Sequence, residues 1–357
     1  MLLKKRNYKH IYIFYLLLFV LITIFSTTNV LGKIYKIEDI NVNEPYTLSF
    51  QKKKVIEKAF LVAFAELLKK ITISKDTKLL KNVEIKKVKE LVDSFIIVDE
   101  KFIDNKYFAK FEVDFNKNKI LKFLDKKNTS SSVPLQKKIF ILPILVDLEK
   151  NQILLFSENI FYNEWKKNKK NYFLIDYILP NEDLEDINIM QNKIKEIENY
   201  EFEEIIKKYS INDYIILLVF KDRTNVKVLS KIYINNKKKI TTNLYNQINL
   251  KNINEVSETI LDLKTNYEDE WKKQNVINQS IKLPIKISLN SKAITLINKF
   301  ENKLIVSDFV YEFNIENFTN NKSIYKIIYN NTPDKFLKEF RSYDFNINSD
   351  DNVWILK

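Results

Sequence analysis

The chain has 357 residues, of which 45% are hydrophobic and 29% charged, as in globular proteins with sizeable cores. It has no cysteine, and its single histidine and single glycine, His10 and Gly32, both precede residue 33. Beyond that point the sequence excludes disulfides, Ser-His and Cys-His catalytic groups, the usual zinc, copper and haem ligands, and glycine-rich phosphate loops. We therefore expect neither a cofactor nor a nucleotide.

The first 32 residues have the three-part layout of a secretory signal peptide. Basic residues between Lys4 and Lys9 precede an apolar stretch, Ile11–Phe25, and a polar segment follows it. This stretch is shorter than the roughly 20 residues that a membrane-spanning helix needs. We expect cleavage between Gly32 and Lys33 and export to the periplasm of a bacterial envelope. The alternative is an inner-membrane protein anchored by an uncleaved N-terminal helix.

The net charge of +13 is carried almost entirely by lysine, since only Arg223 and Arg341 are arginines after the leader. A basic chain can bind nucleic acid or an anionic membrane surface. Export and the scarcity of arginine, the usual residue for bidentate phosphate and guanine contacts, disfavour nucleic acid. A membrane-surface role and simple compositional bias toward lysine both remain open.

The N-terminal segment, residues 33–128, predicts a small α+β domain. A helix over Ser49–Ile71 has apolar residues every four positions and Ser49 as its N-cap. Two later strands meet at Asp104-Asn105, a pair suited to a tight turn. Residues 129–138 then read as a linker, because they combine serines with Pro134.

The central segment, residues 139–275, alternates strands and helices and predicts an α/β domain. Ile139–Leu148 is continuously apolar, as in a strand buried on both faces. We predict one long helix over Ile189–Tyr209 and a hairpin that turns at Asn235-Asn236.

The C-terminal segment, residues 276–357, predicts the order βαββαβ of a ferredoxin-like unit. Its two helices are predicted to be capped by Ser291 and Thr332. The fold class is therefore α+β or α/β, with several mixed units in which helices pack on small sheets.

Several of these features together carry a family resemblance. They are a leader, a helix that ends in Leu67–Thr72, the apolar strand Ile139–Asp147, the run Leu179–Asp186 and Asp213-Tyr214 before a buried strand. The chain resembles the proteobacterial domain-of-unknown-function family numbered two thousand and sixty-six. The resemblance implies an exported protein with no assigned activity, and it supplies no catalytic residues.

An acidic cluster is the best candidate for chemistry. Glu182, Asp183, Glu185 and Asp186 follow the end of a predicted strand, and Asp147 ends another. Strand ends are where α/β sheets place ligand sites, so these acids can converge on Ca²⁺ or Mg²⁺, or work as acid and base on a glycan. The alternative is that Asp183 caps a helix and its neighbours favour the positive end of that helix.

Three functions follow. The first is a non-catalytic binding or assembly factor that uses sheet edges and helix faces against another envelope protein. The second is a carboxylate-dependent hydrolase, with or without a metal, centred on Asp147, Asp183, Glu185 and Asp186. The third is a peripheral protein of an anionic membrane surface.

Overall fold

The computed structural model describes residues 34–167, 169–277 and 281–357. Within these ranges the chain is an α+β protein of small mixed sheets and packed helices, which confirms the predicted class. None of the helices in the described ranges is both long and apolar enough to span a bilayer. The predicted leader and the cleavage site at Gly32 and Lys33 lie outside the described residues.

The N-terminal segment is a three-stranded antiparallel sheet, in the order β1-β3-β2, covered on one face by helices. Its elements are β1 (Ile34–Pro45), α1 (Lys52–Ile71), α2 (Ser74–Leu79), α3 (Ile85–Leu91), β2 (Val92–Ile103), β3 (Lys106–Asn116) and α4 (Lys117–Lys126). The predicted turn joins β2 to β3, where Asp104 and Asn105 have φ of 49° and 57°. Asp and Asn tolerate this left-handed conformation best after glycine, which explains their presence in a chain so poor in glycine.

Helix α1 covers the sheet through the predicted apolar stripe. Val55, Ala59, Ala63 and Leu67 are all buried, and the small alanines allow the helix to lie close to the sheet, chiefly along β1. The predicted N-cap is wrong. The helix begins at Lys52, and the Ser49 hydroxyl instead lies 3.0 Å from the Thr47 hydroxyl in the preceding turn.

The central segment is a six-stranded mixed sheet with helices on both faces. Its elements are β5 (Lys137–Asp147), β6 (Gln152–Leu154), α5 (Ile160–Trp165), β7 (Ile175–Ile178), α6 (Leu184–Asn192), α7 (Glu203–Lys207), β8 (Tyr214–Asp222), β9 (Asn225–Ile234), β10 (Lys237–Tyr245) and α8 (Ile253–Gln274). The strand order is β10-β9-β8-β5-β6, and β7 also pairs with β5. The predicted hairpin turns at Asn235 and Asn236, both with positive φ.

Strand β5 is buried on both faces, as its continuous apolar sequence predicts. Ile139 and Ile141 point into a core beneath α5 and α8, whereas Phe140 and Leu142 point into a second core beneath α6 and α7. The alternation follows from the two-residue period of a strand. The sheet therefore separates two cores. Helices α5 and α8 pack on one core, and helices α6 and α7 pack on the other.

The single long helix predicted over Ile189–Tyr209 is wrong. The chain forms α6, a 3-10 turn over Ile194–Glu196, and the separate helix α7. Phe202 has φ of 60°, which ends any continuous helix, and its ring is buried beneath the sheet. Breaking the helix lets Met190, Ile197 and Phe202 all reach the same core, which the helical periodicity did not anticipate.

The predicted linker contains an ordered and buried stretch, residues 131–133. Its two-residue strand β4 (Ser131–Ser132) pairs antiparallel with β11 (Val276–Ile277), which follows α8. The Ser132 hydroxyl donates to the Ile71 carbonyl at 3.1 Å, and the Trp271 indole donates to the Leu135 carbonyl at 2.7 Å. The segment therefore connects α1 to α8 through these hydrogen bonds.

The C-terminal segment keeps the predicted element order, with one addition. Its elements are β12 (Leu283–Leu289), α9 (Ile294–Val306), β13 (Val310–Phe318), β14 (Ser323–Tyr329), α10 (Pro333–Arg341), β15 (Ile347–Asn348) and β16 (Trp354–Leu356). The sheet order is β13-β14-β12-β16-β15, with β16 parallel to β12. The short β15–β16 hairpin therefore departs from the simple βαββαβ layout.

The two predicted caps of this segment have different outcomes. Thr332 caps α10, and its hydroxyl accepts the Lys335 amide. Ser291 does not cap α9, which begins three residues later, because its hydroxyl lies 2.9 Å from the Ser323 hydroxyl on β14. The core of this segment also contains Leu121 of α4 and Val133 of the linker. Residues from different predicted domains therefore share one core, and the predicted domain boundaries remain a prediction.

Candidate functional site

The structure brings three of the four predicted site residues around one ammonium group. The Lys208 Nζ lies 2.8 Å from Asp183 Oδ2, 2.7 Å from Asp186 Oδ1 and 3.5 Å from Glu185 Oε2. Asp183 also caps α6, since its Oδ1 accepts the Glu185 amide at 2.9 Å. The cluster thus combines a helix cap with an ion-pair network, and the lysine occupies the position between these carboxylates.

The hydrogen bonds in this cluster favour the charged forms of Asp183 and Lys208. Hydrogen bonds from Lys208 lower the pKa of Asp183, and the same bonds to Asp183 and Asp186 raise the pKa of Lys208. A general acid on a glycan needs a carboxyl with a raised pKa. The pKa of Asp183 moves in the opposite direction, so its carboxyl is a poor proton donor near neutral pH.

The fourth predicted residue, Asp147, has its own partners. Asp147 Oδ2 lies 3.1 Å from Lys221 Nζ, and Oδ1 accepts the amides of Glu149 and Lys150, both at 3.2 Å. Burial opposes its ionisation, but the hydrogen bonds from Lys221 and these amides leave the pKa of Asp147 lowered. Asp147 therefore closes the turn after β5.

The carboxylates of both acidic groups already have ion-pair partners. Glu182 is engaged separately, since its Oε1 accepts the Ser157 amide at 3.1 Å. Within the described ranges, no group of three or more Asp, Glu or His residues is arranged to hold a metal ion. What these carboxylates do in this arrangement is stabilise turns, a helix end and two ammonium groups.

A feature that sequence reasoning missed is a cavity of about 590 Å³ on the α5 and α8 side of the central sheet. Its walls include the rings of Trp165, Phe173 and Tyr177 and the ammonium-bearing side chains of Lys169 and Lys264. Apolar walls with a few polar groups are the usual composition of small-molecule sites.

Lys264 is the most unusual side chain of this cavity. It is only 3% exposed, and its Nζ donates to the Trp165 carbonyl at 2.7 Å. The Nζ also lies 5.2 Å from the centre of the Trp165 ring and 5.4 Å from that of Tyr177, within cation–π range. Burial, together with the nearby Lys169 charge, lowers the pKa of Lys264 to about 8.

A sequence signal for this lysine does exist. Lys264, Glu268 and Lys272 recur every four residues along α8, beside its apolar stripe, and all three are buried. Glu268 accepts the amides of Leu174 and Ile175 at 2.8–3.0 Å. In a chain this rich in lysine, the spacing resembles an ordinary solvated face, so it does not stand out without the tertiary packing.

A second candidate surface is the β2 edge of the N-terminal sheet. Strand β2 is twelve residues long, pairs with β3 on one side, and pairs with no described strand on the other. It exposes five large apolar side chains: Phe95, Ile96, Val98, Phe102 and Ile103. A long apolar edge presents unpaired backbone groups to any extended segment that approaches it.

Comparisons with known proteins add little to this geometry. No protein-family model matches the chain, and no curated protein matches it. A solved structure titled "Crystal structure of uncharacterized protein" aligns over 40% of this chain and 95% of its own, with 7% sequence identity and a TM-score of 0.17. At this TM-score the likeness carries no argument about fold or function.

Proposed function

We propose that this protein is an exported, periplasmic binding or assembly factor, which works without catalysis by accepting an extended segment of another envelope protein at the β2 edge. The observation that carries the proposal is the exposed apolar side of β2. Adding a strand to a sheet edge is a common mode of peptide recognition, in which main-chain hydrogen bonds supply affinity and side-chain contacts supply specificity.

The local geometry limits where a partner strand can bind. Bulges interrupt the β2–β3 register between Val92 and Ser94 and between Ile97 and Asp99. Bulges and charges are devices by which edge strands avoid unwanted pairing. Ser94–Ile97 is the regular, apolar stretch between the two bulges, so this is the stretch on which the proposed partner pairs.

The β2 edge is better suited to binding than the β10 edge. Strand β10 also ends its sheet and exposes Ile240 and Leu244, but it begins with three consecutive lysines, Lys237–Lys239. Lysines on an edge strand oppose pairing. This contrast supports β2 over β10 as the partner's strand.

The hydrolase alternative has less support. Asp183, Glu185 and Asp186 contact Lys208, and Asp147 contacts Lys221. A lowered pKa at Asp147 and Asp183 is unsuited to a general acid. Export and membership of the family that the sequence resembles stay predictions, and both agree with a role in the envelope.

The proposal is tested by crosslinking at the edge. A photoreactive amino acid replaces Ile96, which is 56% exposed, in the full chain expressed in its native cells. Irradiation is expected to join the chain to one reproducible envelope protein. The adduct is expected to disappear when Phe95→Pro is added, because proline within the paired stretch opposes pairing.

The matched control carries the same photoreactive group at Leu244, an exposed apolar residue of the β10 edge. No adduct with the same protein is expected there. Identical adducts from both positions, or none from Ile96, would count against a strand-accepting edge at β2.

A second candidate function, binding to an anionic membrane surface, is favoured by a basic patch between α3 and α4. A depression of about 400 Å³ there is lined by Lys87, Lys119, Lys122 and Lys126, with Glu90 as its acidic member among the described lining residues. Each lysine near an anionic membrane surface contributes about 1 kcal/mol of binding free energy.

Sedimentation with vesicles that contain anionic lipid, at low and physiological salt, tests this second candidate. The variant with Lys119, Lys122 and Lys126 all changed to Gln is expected to bind more weakly than the wild type. Absence of binding at low salt would remove the membrane role.

A further inference from the structure

We propose that the cavity between α5, β7 and α8 binds an amphipathic anion. Its acidic head contacts Lys264 and the polar groups of Trp165 and Tyr177, and its apolar body packs against the adjoining apolar walls. This site is separate from the β2 edge and does not depend on the function proposed for that edge.

The size of the cavity fits a small ligand. Its volume of about 590 Å³ lies within the roughly 300–1,000 Å³ that ligand sites occupy. The cavity is built on ordered elements, since Trp165 ends α5, Tyr177 lies in β7 and Lys264 lies in α8. A site on helices and strands keeps its geometry better than one on loops.

Two buried polar groups in the walls support a ligand with acceptor atoms. The Trp165 Nε1–H and the Tyr177 O–H are buried, and neither finds a hydrogen-bond partner among the described residues. A buried donor without a partner destabilises the fold, so its retention calls for an explanation. Both side chains line the cavity, where the oxygens of a carboxylate or a phosphate can accept from them.

The charge of the walls selects an anion. Four lysines line the cavity, namely Lys166, Lys169, Lys170 and Lys264, against Asp176 as the acidic member among the described lining residues. Lys264 is buried, whereas the other three lysines are exposed to solvent. In this partly desolvated setting a charge-assisted hydrogen bond is stronger than in water.

The apolar part of the ligand has its own surface. Phe173, Ile175 and Leu179 line the same cavity beside the rings of Trp165 and Tyr177, whose centroids are 5.5 Å apart in an edge-to-face arrangement. Burying an alkyl chain or a flat ring against these side chains removes apolar area from water and so favours binding. The recognised chemistry is therefore an anionic head on a short apolar body.

The test uses three probes with one chain length and isothermal calorimetry on the protein from Lys33 to Lys357. Octanoate and octyl phosphate separate a carboxylate head from a phosphate head, and 1-octanol lacks the charge. We expect saturable one-to-one binding of at least one anion, at least tenfold tighter than that of octanol. Equal affinity for octanol, or no saturable binding of either anion, would overturn the proposal.

Conservative variants assign the contacts. Trp165→Phe and Tyr177→Phe each remove one donor and keep a ring, and each is expected to weaken the anion about threefold to tenfold. Lys264→Met is expected to weaken it by tenfold or more, and Lys193→Gln, on an exposed lysine outside this cavity, is expected to leave it unchanged. Thermal melting checks that each variant is folded. Unchanged anion affinity in both Trp165→Phe and Tyr177→Phe would place binding elsewhere, whatever the effect at Lys264.

Discussion

The Asp269 carboxylate accepts two hydrogen bonds from Ser74, one from its amide at 2.8 Å and one from its hydroxyl at 2.6 Å. Ser74 begins α2 in the N-terminal segment, and Asp269 lies in α8 of the central segment. One turn further, Lys272 Nζ donates to the Lys69 carbonyl near the end of α1. These contacts hold the C-terminal end of α1 against α8.

Removing this carboxylate is expected to weaken the junction. Asp269→Ala deletes both hydrogen bonds, so the free energy of unfolding is expected to fall by about 1–3 kcal/mol. Urea denaturation measures the change. Glu258→Ala, on an exposed position of the same helix, is the control and is expected to lie within about 0.5 kcal/mol of the wild type. Equal midpoints for the wild type and Asp269→Ala would contradict the assignment.

Lys208 is expected to matter for stability rather than for chemistry. Lys208→Met removes the ammonium from Asp186, which is only 1% exposed, so we expect a loss of about 2 kcal/mol. Lys207→Met is the matched control, because Lys207 pairs with the exposed Glu203. Adding Asp186→Asn to Lys208→Met is expected to recover part of the loss. A neutral Lys208→Met would mean that the ion pair has no stabilising role.

Lys264 predicts a pH dependence of stability. Its pKa of about 8 in the folded protein lies below its ordinary value of 10.5, so the unfolded chain binds more protons between these two pH values. Stability contributed by this site therefore rises as pH increases from about 8 to 10.5. Of the charges that act on it, Lys169 lowers its pKa and Glu268 opposes the shift.

The measurement compares melting temperatures of the wild type and Lys264→Met between pH 7 and 10.5. The difference, wild type minus variant, is expected to increase with pH, because the variant has no such titration. Subtracting the two proteins removes the titration of tyrosines and other lysines that both share. A constant difference over this range would show that Lys264 keeps an ordinary pKa.

The turn at Arg223 offers a stabilising substitution. Arg223 has φ of 53° and follows β8 in the turn to β9, where glycine adopts positive φ without steric cost. Arg223→Gly is expected to raise the free energy of unfolding by up to about 1 kcal/mol, net of the extra freedom of the unfolded chain. Asn236→Gly is the control, since asparagine already tolerates its φ of 60°. Chemical denaturation distinguishes the two, and a larger gain at Asn236 would contradict this reasoning.

The leader makes a prediction about the mature protein. We expect mass spectrometry of the protein purified from the periplasm to give a chain that begins at Lys33. Replacing Gly32 with a bulky residue, as in Gly32→Trp, is expected to slow cleavage, because the peptidase requires small residues there. A full-length chain in the cytosol would contradict export.

Hydrophobic periodicity predicted burial correctly where an apolar pattern packs against a single partner surface. The i+4 apolar residues of α1 and the continuous apolar run of β5 both predicted their burial correctly. The helix predicted over Ile189–Tyr209 failed because several apolar residues had to reach one core, and the break at Phe202 achieves that without a glycine or proline to announce it.

The candidate sites were harder to predict from the sequence than the helices and strands. The acids at Asp183–Asp186 were visible as a cluster, but their partner, Lys208, is more than twenty positions away and is one of many lysines. The cavity at Lys264 combines residues of α5, β7 and α8, so no single window of sequence contains it. Long-range contacts of this kind decide whether a charged residue is solvated or buried.

The pairing of β4 with β11 has an evolutionary consequence. The Val133 amide donates to the Asn275 carbonyl at 2.9 Å. The chain therefore enters and leaves the central segment at adjacent points. The stretch between these two residues therefore has ends that already meet, which is the arrangement that tolerates insertion and replacement best. A replacement for this stretch also has to supply the contacts that α8 makes with α1 and α2.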